Sequence, residues 1–128
     1  MYQVPKGTSD ILPDQQFLWN FIKDKAKNSS TTFGFEEIET PTFEETELFE
    51  RGVGSDSDIV QKEMYSFTDS SEKSFTLKPE GTAAVCRAFI QNGMNNLPKP
   101  IRLFYISSMF RHERPQSGRL RQHHQFGA

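Results

Sequence analysis

Residues 109–126, Met109-Phe-Arg-His-Glu-Arg-Pro-Gln-Ser-Gly-Arg-Leu-Arg-Gln-His-His-Gln-Phe126, gather Arg111, Arg114, Arg119 and Arg121 in one short segment of a 128-residue chain whose formal net charge is only -2. Read with a period of two, the run before Pro115 sends Arg111 and Glu113 to one face and Phe110 and His112 to the other, as a strand would. The run after Gly118 repeats the pattern. Arg119, Arg121, His123 and Gln125 share one face, and Leu120, Gln122, His124 and Phe126 share the other. Pro115-Gln-Ser-Gly118 between the runs is turn chemistry, so the stretch predicts an antiparallel strand-loop-strand with one polar, cationic face. The planar fork of arginine gives paired, charge-assisted hydrogen bonds to phosphate or carboxylate, so this face suits a polyphosphate. The same alternation also fits a hairpin whose charged face is merely solvated.

Composition bounds the rest. The length is that of one domain, and an apolar fraction of 34%, with twelve Phe, predicts a marginal core. A single cysteine, Cys86, excludes an internal disulfide and fits a reducing compartment. No apolar run approaches a membrane span and the amino terminus lacks signal-peptide order, so the expectation is cytoplasmic, with no membrane partner. Glutamates crowd positions 36 to 50 while arginines gather at the carboxyl end, which hints at an anionic ligand there. Metal-ligand spacing is missing, because His123 and His124 are adjacent and point to opposite faces of a strand.

From the amino terminus, Lys6 to Pro13 reads as an extended arm, and Pro13-Asp14 as a first helical turn. Leu18, Ile22 and Ala26, flanked by Phe17 and Phe21, mark the expected apolar face of that helix, which Gly34 ends as a left-handed cap. Phe35 to Thr40 is a short strand stopped by Pro41, and a second helix is expected from about Glu44 to Arg51, followed by a Gly52-Val-Gly-Ser-Asp56 loop. Tyr65 and Phe67, then Phe75 and Leu77, alternate on either side of Asp69 to Lys73 and predict a hairpin. Lys78-Pro-Glu-Gly-Thr82 is a strand-to-helix corner. There a carboxylate can hold an ammonium group, Gly81 allows close approach and Thr82 is the expected cap; capping alone also explains it. The following helix turns Ala84, Val85, Ala88 and Phe89 inward and ends at Gly93, and Ile101 to Ile106 is an apolar strand leading into the arginine segment. No Walker loop or Gly-x-Gly-x-x-Gly turn is present, so any ATP is held by arginines on a sheet.

Phe110-Arg-x-Glu113, a loop, then Gly118-Arg-x-Arg-Gln-x-x-Gln-Phe126 resembles the second signature motif of class II aminoacyl-tRNA synthetases, in the version of the histidyl-tRNA synthetases. The resemblance continues through Lys6 to Pro13, Phe33 to Pro41, the Gly52 to Asp69 segment and Leu77 to Thr82. It implies an α+β fold, the mainly antiparallel class II sheet flanked by helices, with residues 1–128 as the amino-terminal portion of the catalytic core. Motif 1 would cover about 14–41 and motif 2 about 103–127, with the third motif and the anticodon-binding domain absent. The implied reaction is activation of histidine by ATP and transfer to the acceptor end of the histidine tRNA, Mg2+ arriving with ATP. By the same resemblance Arg111 is catalytic and bridges the amino acid carboxylate and the α-phosphate. Glu113 accepts from adenine, Arg119 reaches the distal phosphates and the ring of His123 stacks on adenine. Glu80, Gly81, Thr82 and Gln125 bind histidine together with Arg111, Arg114 and Gln116 touch tRNA, and Pro41 lies at the interface of a homodimer.

Two departures stand out. His123 occupies a position where the family usually carries Phe, which implies weaker or pH-dependent ATP binding. The third motif's arginine is absent from these residues, so the chain alone is expected to be a poor enzyme or none. Two other functions fit parts of the pattern. One is a synthetase-like regulatory subunit of ATP phosphoribosyltransferase, against which the intact Glu80 corner and full arginine hairpin weigh. The other is a small RNA-binding module, which would bind with steep salt dependence and ignore ATP.

Overall fold

The computed structural model describes residues 1–54, 56–114 and 116–128. Pro13 and Asp14 form a turn rather than a helical start, and helix α1 runs Gln16–Thr32. Its end is a complete left-handed cap: Gly34 N donates to Thr31 O at 3.0 Å, Phe35 N to Ser30 O at 3.0 Å, and Gly34 has φ +75°. Alanine at 34 would force a Cβ into that conformation, so Gly34→Ala is expected to cost about 1–2 kcal/mol in denaturant unfolding.

The packed face of α1 differs from the one the apolar spacing suggests. Trp19, Lys23, Ala26, Lys27 and Ser30 turn inward to varying degrees, while Phe17, Leu18, Phe21 and Ile22 stand exposed. Hydrophobic periodicity located the helix but assigned its faces wrongly, because an apolar stripe need not be the stripe that meets the sheet.

Among the described residues six strands form two three-stranded sheets. The first has β1 (Glu36–Glu37) parallel to β5 (Leu103–Phe110), which is antiparallel to β6 (Gln122–Gly127). β1 is shorter than the expected strand, although Ile38 N still donates to Phe104 O at 2.9 Å. The second sheet has β4 (Ser74–Leu77) between β2 (Phe43–Glu45) and β3 (Ser66–Thr68), all antiparallel. The β3–β4 hairpin is the expected one. β2 lies where the sequence suggested the start of a helix, and helix α2 is displaced to Thr46–Val53. Glutamates 44 and 45 carry no strand signal of their own, so pairing with β4 decides the conformation. Of the expected loop after α2, Ser55 lies outside the described residues, and Ile59–Glu63 form a π-helical turn the sequence did not signal.

Rings of Phe43, Phe67 and Phe75 pack edge-on or tilted on one face of the second sheet, with centroids 5.6–6.0 Å apart. A hydroxyl network occupies the other. Thr76, fully buried, meets Thr46 at 2.9 Å and Ser66 at 2.7 Å, so its polar atom is satisfied. Helix α3, Thr82–Gln91, buries Ala83, Ala84 and Ala88, and Gly93 follows it with φ +62°.

Lys78 joins the two sheets. Its backbone N donates to Thr42 O and its carbonyl accepts from Phe110 N, each at 3.0 Å. The side chain is only 2% exposed, with Nζ donating to Thr40 O at 3.2 Å and Thr40 Oγ1 at 3.4 Å. Burial lowers its pKa, against the raising effect of Glu39 and Glu44. A buried ammonium gains little net from such bonds, and an apolar side chain of similar length is often equal or better. Lys78→Met is therefore expected to shift stability by no more than about 1.5 kcal/mol, whereas Lys78→Ala, which leaves a cavity, should cost about 2–4 kcal/mol. Equal losses in chemical denaturation would contradict this.

Candidate active site

The corner after β4 and the hairpin of β5 and β6 come together on one face of the first sheet. Glu80 closes the start of α3: its Oε2 accepts from Thr82 N at 2.6 Å and its Oε1 from Ala83 N at 2.9 Å. Gly81 is the cap residue, and Glu80 supplies the capping carboxylate in place of the expected Thr82. Both Glu80 oxygens keep further lone pairs, so capping and ammonium binding are compatible. A groove of about 1150 Å³ between α2 and α3 borders this corner, with Glu80 and Thr82 at its edge and the ion pair of Glu44 with Arg87 beside it.

Residues 105–110 pair with 122–127 in register Tyr105↔Gly127, Ser107↔Gln125 and Met109↔His123, and Arg111 N extends the ladder to Arg121 O at 2.9 Å. Arg111, Arg121, His123 and Gln125 thus share a face, as the alternation predicted, and all four are half-buried. That is not the solvated outer face of a hairpin. Arg111 Nε donates to Pro79 O at 2.8 Å, and Gln125 Oε1 accepts from Gly81 N at 3.2 Å, so the hairpin grips the corner at both ends. On the opposite face His124 packs on Trp19 of α1, ring centroids 4.4 Å apart.

Glu113 lies 3.8 Å from Arg119 Nε, with the arginine largely exposed and the carboxylate mostly covered. Arg119 N donates to Gln116 O at 3.0 Å across a turn in which Gly118 has φ +81°. The expected turn begins at Pro115, which lies outside the described residues; Arg114 and Gln116 are exposed on either side of it. The structure leaves those two and Arg119 away from the corner. Pro41 is exposed and lines the same groove as Glu80 and Thr82.

Sequence reasoning gave Arg121, Tyr105 and Gly7 no role in the site. Arg121 N donates to Gly7 O at 2.6 Å and its Nε to Glu113 O at 3.2 Å. Gly7 has φ +86°, and a Cβ there would run into the Arg121 side chain. The amino-terminal arm is thereby tied to the arginine hairpin. The glycine in Lys6-Gly-Thr8 was a visible signal for such an approach, but its partner was not.

Burial lowers the pKa of His123, the Arg111 charge adds to the effect, and Glu113 opposes it. His124 is lowered by burial, then by Lys23 and His123. Both rings therefore hold a proton less firmly folded than unfolded. Between the depressed folded values and about 6.5 the unfolded chain binds more protons, so stability is full above about pH 6.5 and is lost as pH falls below it. The fall in thermal midpoint from pH 7.5 to 5 should be smaller in His123→Phe/His124→Phe, and an undiminished fall would contradict the assignment.

A family described as histidyl-tRNA synthetase matches residues 7–128. The chain belongs to that family. It is 56% identical over 125 residues to a histidine–tRNA ligase of Clostridium novyi, covering 98% of this chain and 30% of the relative. The apo histidyl-tRNA synthetase of S. aureus superposes with TM-score 0.80 at 39% identity, over 98% of this chain and 28% of that one. A Bacillus halodurans protein described as ATP phosphoribosyltransferase regulatory subunit/histidyl-tRNA synthetase gives 0.77 at 27% identity, over 98% and 31%. The chain thus spans about 30% of the length of the curated relatives it matches. The histidyl-tRNA synthetase relationship bears out the expected α+β fold, here with one parallel pair, β1 and β5, in a framework otherwise antiparallel.

Proposed function

We propose that these residues form the amino-terminal portion of a catalytic core that activates histidine with ATP and then charges histidine tRNA. The carrying observation is Arg111, whose backbone pairs within the hairpin while its Nε holds the Pro79 carbonyl of the corner. The guanidinium therefore stands between a surface suited to a nucleotide and one suited to an amino acid. In the proposed reaction a histidine carboxylate oxygen attacks the α-phosphorus of ATP, the bond to the β-phosphate bridging oxygen breaks, and pyrophosphate leaves. The remaining N–H groups of Arg111 hold the carboxylate and α-phosphate together and meet the charge that builds between them.

Glu80, Gly81 and Thr82 receive the ammonium group at the corner. Glu113 takes the adenine amino group, His123 stacks on the base and Arg119 meets the distal phosphates, so ATP replaces the present Glu113–Arg119 approach with contacts to its two ends. Among the described residues no group of three or more His, Cys, Asp or Glu is placed to hold a metal ion, and Mg2+ enters on the phosphates. Arg114 and Gln116, exposed on the loop, contact the tRNA acceptor end. Motif 1 covers about 14–41 and motif 2 about 103–127. Dimerisation uses the surface around Pro41, and the exposed Phe17, Leu18, Phe21 and Ile22 of α1 favour such burial. No helix among the described residues is long and apolar enough to cross a membrane, and the cytoplasm is the proposed location.

Histidine-dependent exchange of pyrophosphate into ATP by the protein carrying these residues tests this directly. Exchange is expected with histidine alone among the amino acids. Exchange driven by proline or threonine, or none with any amino acid, would contradict it.

A further inference from the structure

Gln125 Oε1 receives two hydrogen bonds, from Gly81 N at 3.2 Å and from Tyr105 Oη at 3.1 Å. A backbone N–H can only donate, so the amide atom facing Gly81 is the oxygen, and Tyr105 must donate to it as well. The amide nitrogen Nε2 is thereby turned away from Gly81, and among the described residues both hydrogen bonds of the Gln125 side chain are to its oxygen. Gln125 consequently presents a ligand with two donors and no acceptor. That suits a carboxylate better than an ammonium group.

Tyr105 has little freedom to do otherwise. A Cβ at Gly81 or at Gly127 would run into its ring, so the ring lies clamped between the corner and the end of β6. Burial, with a smaller contribution from Glu80, raises the pKa of its hydroxyl, against a lowering effect of Thr82; the donor proton is kept at neutral pH. We infer that Tyr105 is a positioning residue, its clamped hydroxyl fixing the Gln125 amide so that both Nε2 hydrogens face the carboxylate of the bound amino acid. This rests on the corner being the amino acid site. Without the hydroxyl, the amide has one anchor instead of two and can present its oxygen to the carboxylate, which repels it.

The test uses the 15N-labelled chain and Tyr105→Phe, which keeps the ring and removes only the hydroxyl. The Gln125 side-chain amide signals are identified by their loss in Gln125→Glu. In Tyr105→Phe these signals and the Gly81 amide are expected to move while the signals of β3 and β4 stay in place; unmoved Gln125 signals overturn the inference. If that variant does not fold, 3-fluorotyrosine in the otherwise unchanged chain replaces it. The Gln125 amide signals must then follow ionisation of the labelled Tyr105, and signals that ignore it overturn the inference. The second readout is affinity for histidine and for histidinol, which has the ammonium but no carboxylate. Tyr105→Phe should weaken histidine roughly five- to tenfold, as loss of one well-aligned hydrogen bond does, and leave histidinol within about twofold. Equal losses for both ligands overturn it in favour of simple packing. Failure of the unsubstituted chain to bind either ligand removes the amino acid site itself, and the positioning role with it.

Discussion

Arg111→Ala is expected to lower histidine-dependent ATP–pyrophosphate exchange by roughly a hundred- to a thousandfold in the protein carrying these residues. The two nearest arginines of the hairpin are placed elsewhere: Arg121 is engaged by Gly7 and by the Glu113 carbonyl, and Arg119 lies out on the turn beside Glu113. In its proposed role Arg111 meets charge that is greatest in the transition state, so kcat should fall more than KM rises. Arg111→Lys should recover little, since an ammonium is a point charge that cannot hold Pro79 O and span two anions at once. Arg111→Ala also frees the Pro79 carbonyl, so the integrity of the corner is checked by the Gly81 amide signal, which Gln125 still holds. A loss of less than about tenfold in kcat would remove Arg111 from the chemistry.

Phe104→Ala is expected to cost about 3–5 kcal/mol, enough to abolish a cooperative unfolding transition in this chain. Phe104 is fully buried on the central strand of the first sheet, 6.2 Å from the Phe126 ring by centroids. The reserve against such a loss is small. The chain exposes 9270 Å², whereas a compact monomer of 14.8 kDa would expose about 7000 Å². The difference lies partly in apolar side chains such as Phe17, 67% exposed. Phe17→Ala should therefore change stability by less than about 0.5 kcal/mol. A reversal of that order in calorimetry would mean that α1 packs by the face that its apolar spacing suggests.

The hairpin and the corner were legible because each is a local pattern. Alternation put Arg111, His123 and Gln125 on one face, and a helix starting at Thr82 followed from turn chemistry and the alanine spacing. What the pattern could not carry was anything decided by a distant partner. β2 exists because β4 pairs with it, and the buried face of α1 is chosen by the sheet and His124. Tyr105 escaped notice for the same reason. Its importance comes from Gly81 and Gly127, which are far from each other in sequence and close only across the folded sheet.

The most direct measurement is a pair of titrations of the 15N-labelled chain, one with histidine and one with Mg-ATP, followed residue by residue. Histidine is expected to move the signals of Glu80 to Thr82, Arg111 and Gln125, and ATP those of Arg111, Glu113, Arg119 and His123, with Arg111 common to both. Two sets of shifts that do not share Arg111, or ATP shifts that fall outside the hairpin, would contradict a single site in which this arginine joins the two substrates.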